Sequence, residues 1–168
     1  DHAERACAAA LAMRERRNAL VADWAKIGRP RLKARTGINS GPMLVGNLGS
    51  KYRFAYGVLG DQVNLGSRLE GLNRDYGTEI LVGENTARLV EGSFVLREID
   101  MVRVIGKKQH VRVYELLARL GESLPWEQEK ALRFYTDGLE AYRQQLWGEA
   151  LSLFQQSLAL CPEDGPSR

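Results

Sequence analysis

The order of helical and strand patterns along this 168-residue sequence predicts an α+β fold, with helices on one side of a mixed sheet. Two observations support the prediction. A helical pattern directly follows a short apolar, strand-like run near the middle of the chain, and further strand patterns lie before and after it. The composition, 44% hydrophobic and 27% charged, is ordinary for a chain that buries a core.

The first third of the chain predicts one long helix and a strand hairpin. Apolar residues at helical spacing predict a helix over residues 1–25. Alternation over residues 32–39 predicts a strand, and Ser40-Gly41-Pro42 turns the chain so that residues 43–46 return as its hairpin partner. Residues 47–53, which include Gly49, are expected to form a loop.

The middle of the chain carries the most informative pattern. An apolar run, Phe54 to Leu59, meets Gly60-Asp61, where the backbone can turn and Asp61 can cap a helix. Asn64 and Arg68 lie four residues apart on one stripe of that helix, so their side chains point the same way. A neutral hydrogen-bonding group and a permanent cation near the positive end of a helix suit a phosphate-bearing ligand. The neighbouring stripe is apolar and consists of Leu65, Leu69, Leu72 and Tyr76.

Strands and a short helix are expected in the next segment, after Gly77 ends the central helix. Apolar runs bounded by turn residues define the strands, and the last of them alternates cleanly. The predicted elements are residues 79–82 (strand), 84–90 (helix), 94–99 and 102–105 (strands), 106–109 (turn) and 111–117 (strand).

Residues 119–125 are expected to form a linker, and residues 126–168 a helical hairpin with its turn near Gln145 to Gly148. A tetratricopeptide-like pattern is present, although Tyr142 is one residue away from the consensus tyrosine position. A single repeat cannot bury its own face, so two interpretations stay open. The hairpin either packs on the domain or continues a truncated chain, or it belongs to a partner-binding array. The residues at repeat positions are Gly138, Ala150, Phe154 and Pro162.

Charge and cysteine usage narrow the functional class. The formal charge is only +3, without a compact Lys/Arg block, which argues against nucleic acid or an anionic membrane as partner. Cys7 and Cys161 lie far apart in the sequence and predict free thiols. No stretch approaches 18 apolar residues and no secretory signal is present, so we expect a cytoplasmic catalytic portion, in a full-length protein that is either soluble or membrane-anchored.

Three segments together resemble the class III adenylyl/guanylyl cyclase catalytic domain, in its order and spacing, over residues 1–118. They are Thr36-Gly37-Ile38-Asn39-Ser40-Gly41, Gly46-Asn47-Leu48-Gly49-Ser50 and Gly60-Asp61-x-Val63-Asn64-x-x-x-Arg68-Leu69-Glu70. The resemblance implies a ferredoxin-like catalytic fold that is incomplete at its N-terminus. It also implies a bacterial-type adenylate cyclase, a phosphorus–oxygen lyase that converts ATP to 3′,5′-cyclic AMP and pyrophosphate in signal transduction.

The resemblance assigns roles to individual residues. Asn64 orients the ribose, and Arg68 stabilises the transition-state phosphate with its planar fork of donors. Gly57 and Val58 fall at the base-binding positions, where the family usually has Asp or Thr in place of Gly57. A backbone group or water would therefore have to contact the base, and the family still favours ATP over GTP. The terminal-phosphate lysine of the family is replaced by Ile105, so Lys107 or Lys108 either substitutes for it or is an exposed hairpin charge.

The remaining parts of the implied site lie outside this chain. The family's metal-binding aspartates come from a more N-terminal segment, so Mg²⁺ or Mn²⁺ is expected but no metal ligand is assigned here, Asp61 included. The family shares its site across a homodimer, which makes a monomer inactive, and an upstream sensor domain is expected. The chain opens at Asp1 inside a helical pattern, which indicates a fragment.

Simpler interpretations stay open for these residues. Arg68 would otherwise form a surface ion pair with Glu70 or Asp75, and Asn64 a second cap contact. Gly57 and Ile105 would then mark a catalytically degenerate, cyclase-like module that dimerises and binds nucleotide without turnover.

Overall fold

A computed structural model describes residues 1–49, 53–103 and 110–168 of the protein. The segments expected around Ser50 and at residues 104–109, which include Ile105, Lys107, Lys108 and the predicted turn, lie outside the described residues. The elements in chain order are α1 (His2–Lys26), β1 (Thr36–Ile38), β2 (Leu44–Gly49), β3 (Phe54–Leu59), α2 (Asp61–Tyr76), β4 (Ile80–Gly83), α3 (Glu84–Leu89), β5 (Phe94–Arg103), β6 (His110–Arg119), α4 (Trp126–Arg143), α5 (Trp147–Leu160) and a 3₁₀ turn (Gly165–Ser167).

Four strands form a mixed sheet in the order β1-β4-β6-β5. Strand β1 runs parallel to β4, whereas β4–β6 and β5–β6 are antiparallel pairs. Strand β4 is buried along its whole length at the centre of this arrangement. The predicted α+β class with a mixed sheet is therefore confirmed.

Helices cover both faces of the sheet, so the expectation of helices on one side is wrong. Successive residues of a strand point to opposite faces, and Ile80 and Val82 pack in a cluster with α1, while Leu81 packs with α2. Every residue of β4 is apolar or glycine, a run that suits a strand buried on both faces.

Strand pairing differs from the sequence prediction at two places. Strand β1 does not form a hairpin with the segment after it, because β2 pairs with β3 over six residues each and β1 pairs with β4. Asn47 to Gly49 therefore belong to β2 and not to a loop. The two strands expected at residues 94–99 and 102–105 are one strand through Arg103, in which a register shift between Glu98 and Asp100 absorbs the irregularity.

The predicted helices are present within a residue or two of their expected ends. Helix α1 buries small residues on one side, Ala3, Cys7 and Ala10 among them. Helix α2 ends at Gly77, whose φ of 68° lies in the left-handed region that glycine adopts without cost. Over the described residues, no helix is both long and apolar enough to cross a bilayer.

Helices α4 and α5 form the predicted helical hairpin. Gly138 allows the two helices to approach, because a Cβ there would lie 2.9 Å from Cε1 of Phe154. The rings of Tyr135 and Phe154 are 5.7 Å apart in the same contact. The hairpin packs on the α2 side of the sheet, where the Tyr135 hydroxyl donates a hydrogen bond of 3.2 Å to the Ile99 carbonyl. Its tetratricopeptide character stays a prediction.

A buried cation joins this hairpin to the sheet. Arg97 of β5 is 8% exposed and pairs with Asp164 at 2.8 Å, while its Nε donates to Glu115 of β6 at 3.0 Å. The Tyr135 ring covers the guanidinium, with its centroid 4.8 Å from Cζ. One arginine thus neutralises two largely buried carboxylates, one on the sheet and one in the C-terminal segment.

Replacing Arg97 by Met should lower the free energy of unfolding by about 3–5 kcal/mol, because two buried carboxylates lose their cation. Urea unfolding followed by circular dichroism measures this. Arg74→Met is the matched control, since the Arg74–Asp75 pair is exposed and should contribute less than about 1 kcal/mol. Equal stability losses in the two variants would contradict the role of Arg97.

Cys7 provides a pH-dependent prediction. Burial raises the pKa of its thiol from 9.0 to about 11. Between those pH values the unfolded chain loses a proton that the folded chain keeps, so the free energy of unfolding falls as pH rises, by up to about 3 kcal/mol. The free energy of unfolding, measured at pH 8, 9, 10 and 11, should show this decrease in the wild type and not in Cys7→Ala. Parallel pH profiles for the two proteins would contradict it.

Candidate active site

Helix α2 begins where β3 ends, and Gly60 makes the junction. Gly60 is the N-cap residue, with φ 147° and ψ 165°, and Asp61 is the first residue of the helix. The expectation that Asp61 caps the helix is therefore wrong. The left-handed φ at the junction favours glycine, and no side chain hydrogen-bonds to the first turn from the cap position.

Backbone contact holds α2 against β1. A Cβ at Gly37 would lie 2.2 Å from the Gly66 carbonyl oxygen and 2.5 Å from the Glu70 nitrogen, so only glycine permits this approach. The buried side chain of Asn73 adds a hydrogen bond of 3.0 Å to the Thr36 carbonyl. On the same face, Leu69 is fully buried in the cluster between α2 and the sheet.

Asn64 and Arg68 lie on the side of α2 away from this contact, and both are exposed. They stand one helical turn apart, as the spacing predicted, within the first eight residues of the helix. The carboxylates suggested as alternative partners contact other arginines, since Glu70 pairs with Arg35 at 3.0 Å and Asp75 with Arg74 at 3.2 Å. An amide and a guanidinium are thus presented side by side from a fixed helix.

The two predicted base-binding residues lie in β3, the strand that leads into α2. Gly57 pairs with Gly46, and Val58 is 42% exposed. A Cβ at Gly57 would lie 3.2 Å from Cδ1 of Leu48, so a side chain at this position needs Leu48 to give way slightly. Lys107, the predicted phosphate contact, lies outside the described residues.

The hairpin of β2 and β3 carries exposed apolar side chains. Solvent-exposed apolar groups that lie together on one element are typical of an interaction surface. They are Leu44, Val45, Tyr56, Val58 and Leu59, with Tyr56 exposed by 77%.

Asn39 is a site residue to which sequence reasoning gave no role. Its Nδ2 donates to the Gln62 carbonyl at 2.9 Å and to Gln62 Oε1 at 2.8 Å, so it contacts the first turn of α2. Its buried Oδ1 has no hydrogen-bond partner among the described residues. Such a group costs on the order of 1–3 kcal/mol. The available sequence cue was a polar amide as the last residue of the strand predicted over residues 32–39.

Residues 1–118 match the family model of the adenylate and guanylate cyclase catalytic domain. The chain belongs to this family. It is 36% identical over 134 residues, 78% of this chain, to the terminal-differentiation specific adenylate cyclase of Dictyostelium discoideum, and covers 6% of that protein. It is 36% identical over 116 residues, 69% of this chain, to adenylate cyclase 1 of Rhizobium meliloti, and covers 17% of that protein. The chain thus spans under a fifth of either relative.

Two solved cyclase structures resemble the fold of this chain. The adenylyl cyclase CyaB of P. aeruginosa gives a TM-score of 0.56 at 30% identity, over 68% of this chain and 56% of that one. The guanylyl cyclase Cya2 gives a TM-score of 0.60 at 28% identity, over 75% of this chain and 61% of that one. The resemblance inferred from the three sequence segments is confirmed.

Cyclases of this family use divalent metal ions. Within residues 1–49, 53–103 and 110–168, no group of three or more His, Cys, Asp or Glu side chains could hold such an ion. The described residues therefore do not fit a divalent metal by themselves. What they provide is an exposed amide–guanidinium pair on a firmly held helix.

Gly37→Ala should lower the free energy of unfolding by about 3 kcal/mol or more, because the new methyl group meets the backbone of α2. Gly71→Ala is the matched control within α2. A Cβ there meets nothing within 4 Å, so this substitution should stabilise the helix by about 0.5–1 kcal/mol. Thermal melts of both variants test the contact, and a Gly37→Ala protein as stable as the wild type would exclude it.

Proposed function

We propose that this chain forms part of a nucleotide cyclase that converts ATP to 3′,5′-cyclic AMP and pyrophosphate. The observation that supports it is the pairing of Asn64 and Arg68 on the exposed stripe of α2, in a chain of the cyclase family. An amide and a permanent cation one helical turn apart can hydrogen-bond a ribose and neutralise a phosphate. The rest of the site is proposed to come from a second subunit.

In this reaction the ribose 3′-hydroxyl gives up its proton to solvent and its oxygen attacks the α-phosphorus in line. The bond from that phosphorus to the pyrophosphate oxygen breaks, and pyrophosphate leaves. Negative charge builds on the phosphate oxygens in the transition state. Arg68 stabilises this charge with two donors in one plane. Asn64 both donates and accepts hydrogen bonds, so it holds the ribose in the orientation that in-line attack requires.

A fixed helix matters for this chemistry because its groups need no reorganisation during the reaction. The stripe of α2 next to the pair is buried through Leu65 and Leu69. Gly37 and Asn73 tie the helix to β1 as well. Asn64 and Arg68 therefore act from a helix that is held firmly against the sheet, and not from a mobile surface helix.

Base selection and phosphate binding extend the proposal. Gly57 and Val58 lie beside the base, and ATP is preferred to GTP although Gly57 has no side-chain acceptor. Lys107 holds the terminal phosphate. Mg²⁺ or Mn²⁺ is bound by carboxylates from a segment N-terminal to this chain in the full-length protein. An upstream sensor domain regulates the activity.

The proposed second subunit is another copy of this chain. The exposed apolar side chains of the β2–β3 hairpin, such as Leu44 and Tyr56, support a contact that buries them. The hairpin runs directly into α2 through Gly60, so a partner seated on it would lie next to Asn64. In this arrangement one subunit supplies the amide and arginine, and the other supplies the metal ligands.

The test is a cyclase assay of the full-length protein that contains this chain, with ATP and GTP in separate reactions and Mn²⁺ present. The wild type should form cyclic AMP, and Arg68→Ala should lower kcat by about 10²–10³, the loss typical of a removed transition-state donor. Arg74→Ala, an exposed arginine further along the same helix, should retain full activity.

Three results would change the proposal. A folded, fully active Arg68→Ala protein would remove Arg68 from the site. Formation of cyclic GMP would show that GTP is the substrate, and Gly57 would then explain the base selection. A dimer that binds nucleotide but forms no cyclic product would indicate the catalytically degenerate module.

A further inference from the structure

We propose that Asn39 is a positioning residue of the reaction, which holds the first turn of α2 so that Asn64 faces the substrate. The inference rests on the proposed function. Asn39 directly follows β1, and β1 is held by its pairing with β4 and by the Gly37 contact. Its side chain therefore extends from a part of the sheet that cannot easily shift.

The contact is made to the turn that carries Asn64. Both Nδ2 hydrogens of Asn39 point to Gln62, one to its carbonyl oxygen at 2.9 Å and one to its Oε1 at 2.8 Å. Gln62 is the second residue of α2 and stands two positions before Asn64. The Gln62 side chain is also confined by Gly41, where a Cβ would lie 2.6 Å from its Cγ.

This turn needs an external restraint. The first N–H groups of a helix have no intrahelical partners, and a side chain at the N-cap position normally satisfies one of them. Here the cap residue is Gly60, which has no side chain. The Val63 N–H donates to the Gly60 carbonyl at 3.1 Å, and the Asn64 N–H makes the first regular helical bond to the same carbonyl at 3.2 Å. Asn39 restrains the turn from the other side, as a donor to the Gln62 carbonyl and not as an acceptor for the N–H groups.

The amide of Asn39 is held in one orientation at a cost. Turning it over would bring Oδ1 against the two oxygens of Gln62, acceptor against acceptor. In the observed orientation Oδ1 has no hydrogen-bond partner within the described part of the chain and faces Gly83, where a Cβ would lie only 2.3 Å away. An apolar side chain would avoid the unsatisfied oxygen. The retained amide therefore serves the position of α2 more than the stability of the fold.

Two substitutions test the inference in the full-length protein. Asn39→Leu removes the hydrogen bonds at similar size, and Asn39→Asp keeps the shape but replaces the donors by acceptors. Each should lower kcat by about 10- to 100-fold with little change in KM, because a misplaced group costs reaction rate. Asn85→Leu is the matched control, since Asn85 donates to the Ser40 carbonyl and not to α2. It should leave kcat unchanged.

Amide hydrogen exchange provides a readout independent of activity. In Asn39→Leu, exchange at Val63 and Asn64 should accelerate about tenfold, while the last turn of α2 keeps the wild-type rate. Unchanged kcat, or exchange that accelerates equally along the whole helix, would overturn the inference. If the wild type forms no cyclic nucleotide, the proposed function fails. In that case, faster exchange at Val63 and Asn64 would still support a role of Asn39 in holding the start of α2. Unchanged exchange there would exclude that role as well.

Discussion

The backbone contact between α2 and β1 at Gly37 is the constraint on which the rest of the structure depends. A Cβ at this position would lie 2.2 Å from the Gly66 carbonyl oxygen, so the helix rests directly on the strand. The contact sets which residues of α2 face the sheet, namely Leu65, Leu69 and Asn73. By exclusion it also sets which residues face away, and Asn64 and Arg68 are among them. The same close approach therefore decides which residues of α2 are buried and which are exposed.

The two ends of α2 are held by different parts of the chain. At the start, Asn39 binds Gln62. At the end, the C-terminal segment presses on the helix terminus, since a Cβ at Gly165 would lie 2.1 Å from the Tyr76 carbonyl oxygen. The same segment supplies Asp164 to the buried Arg97. The C-terminal segment therefore packs directly on the end of α2, while its ion pair joins it to the sheet.

The candidate site combines a polar pair with a neighbouring apolar surface. It presents hydrogen-bond donors and a cation on α2, beside a hairpin whose apolar side chains are exposed. The apolar surface and the polar pair follow one another along the chain. This arrangement suits a site that closes against a second protein surface. This agrees with the membership of the chain in the adenylate and guanylate cyclase catalytic domain family.

Much of the structure could be predicted from the sequence alone, because it depends on local chemistry. The apolar stripe of α2, the Gly77 helix end and the spacing of Asn64 and Arg68 depend on neighbours within a few residues, so pattern was sufficient. The α+β class and the family followed from such segments. Tertiary structure alone decided the partner of β1 and the burial of β4 on both faces, because strand pairing joins residues distant in sequence. It also decided the link from Asn39 to Gln62, since the geometry of that hydrogen bond exists only once strand and helix have packed.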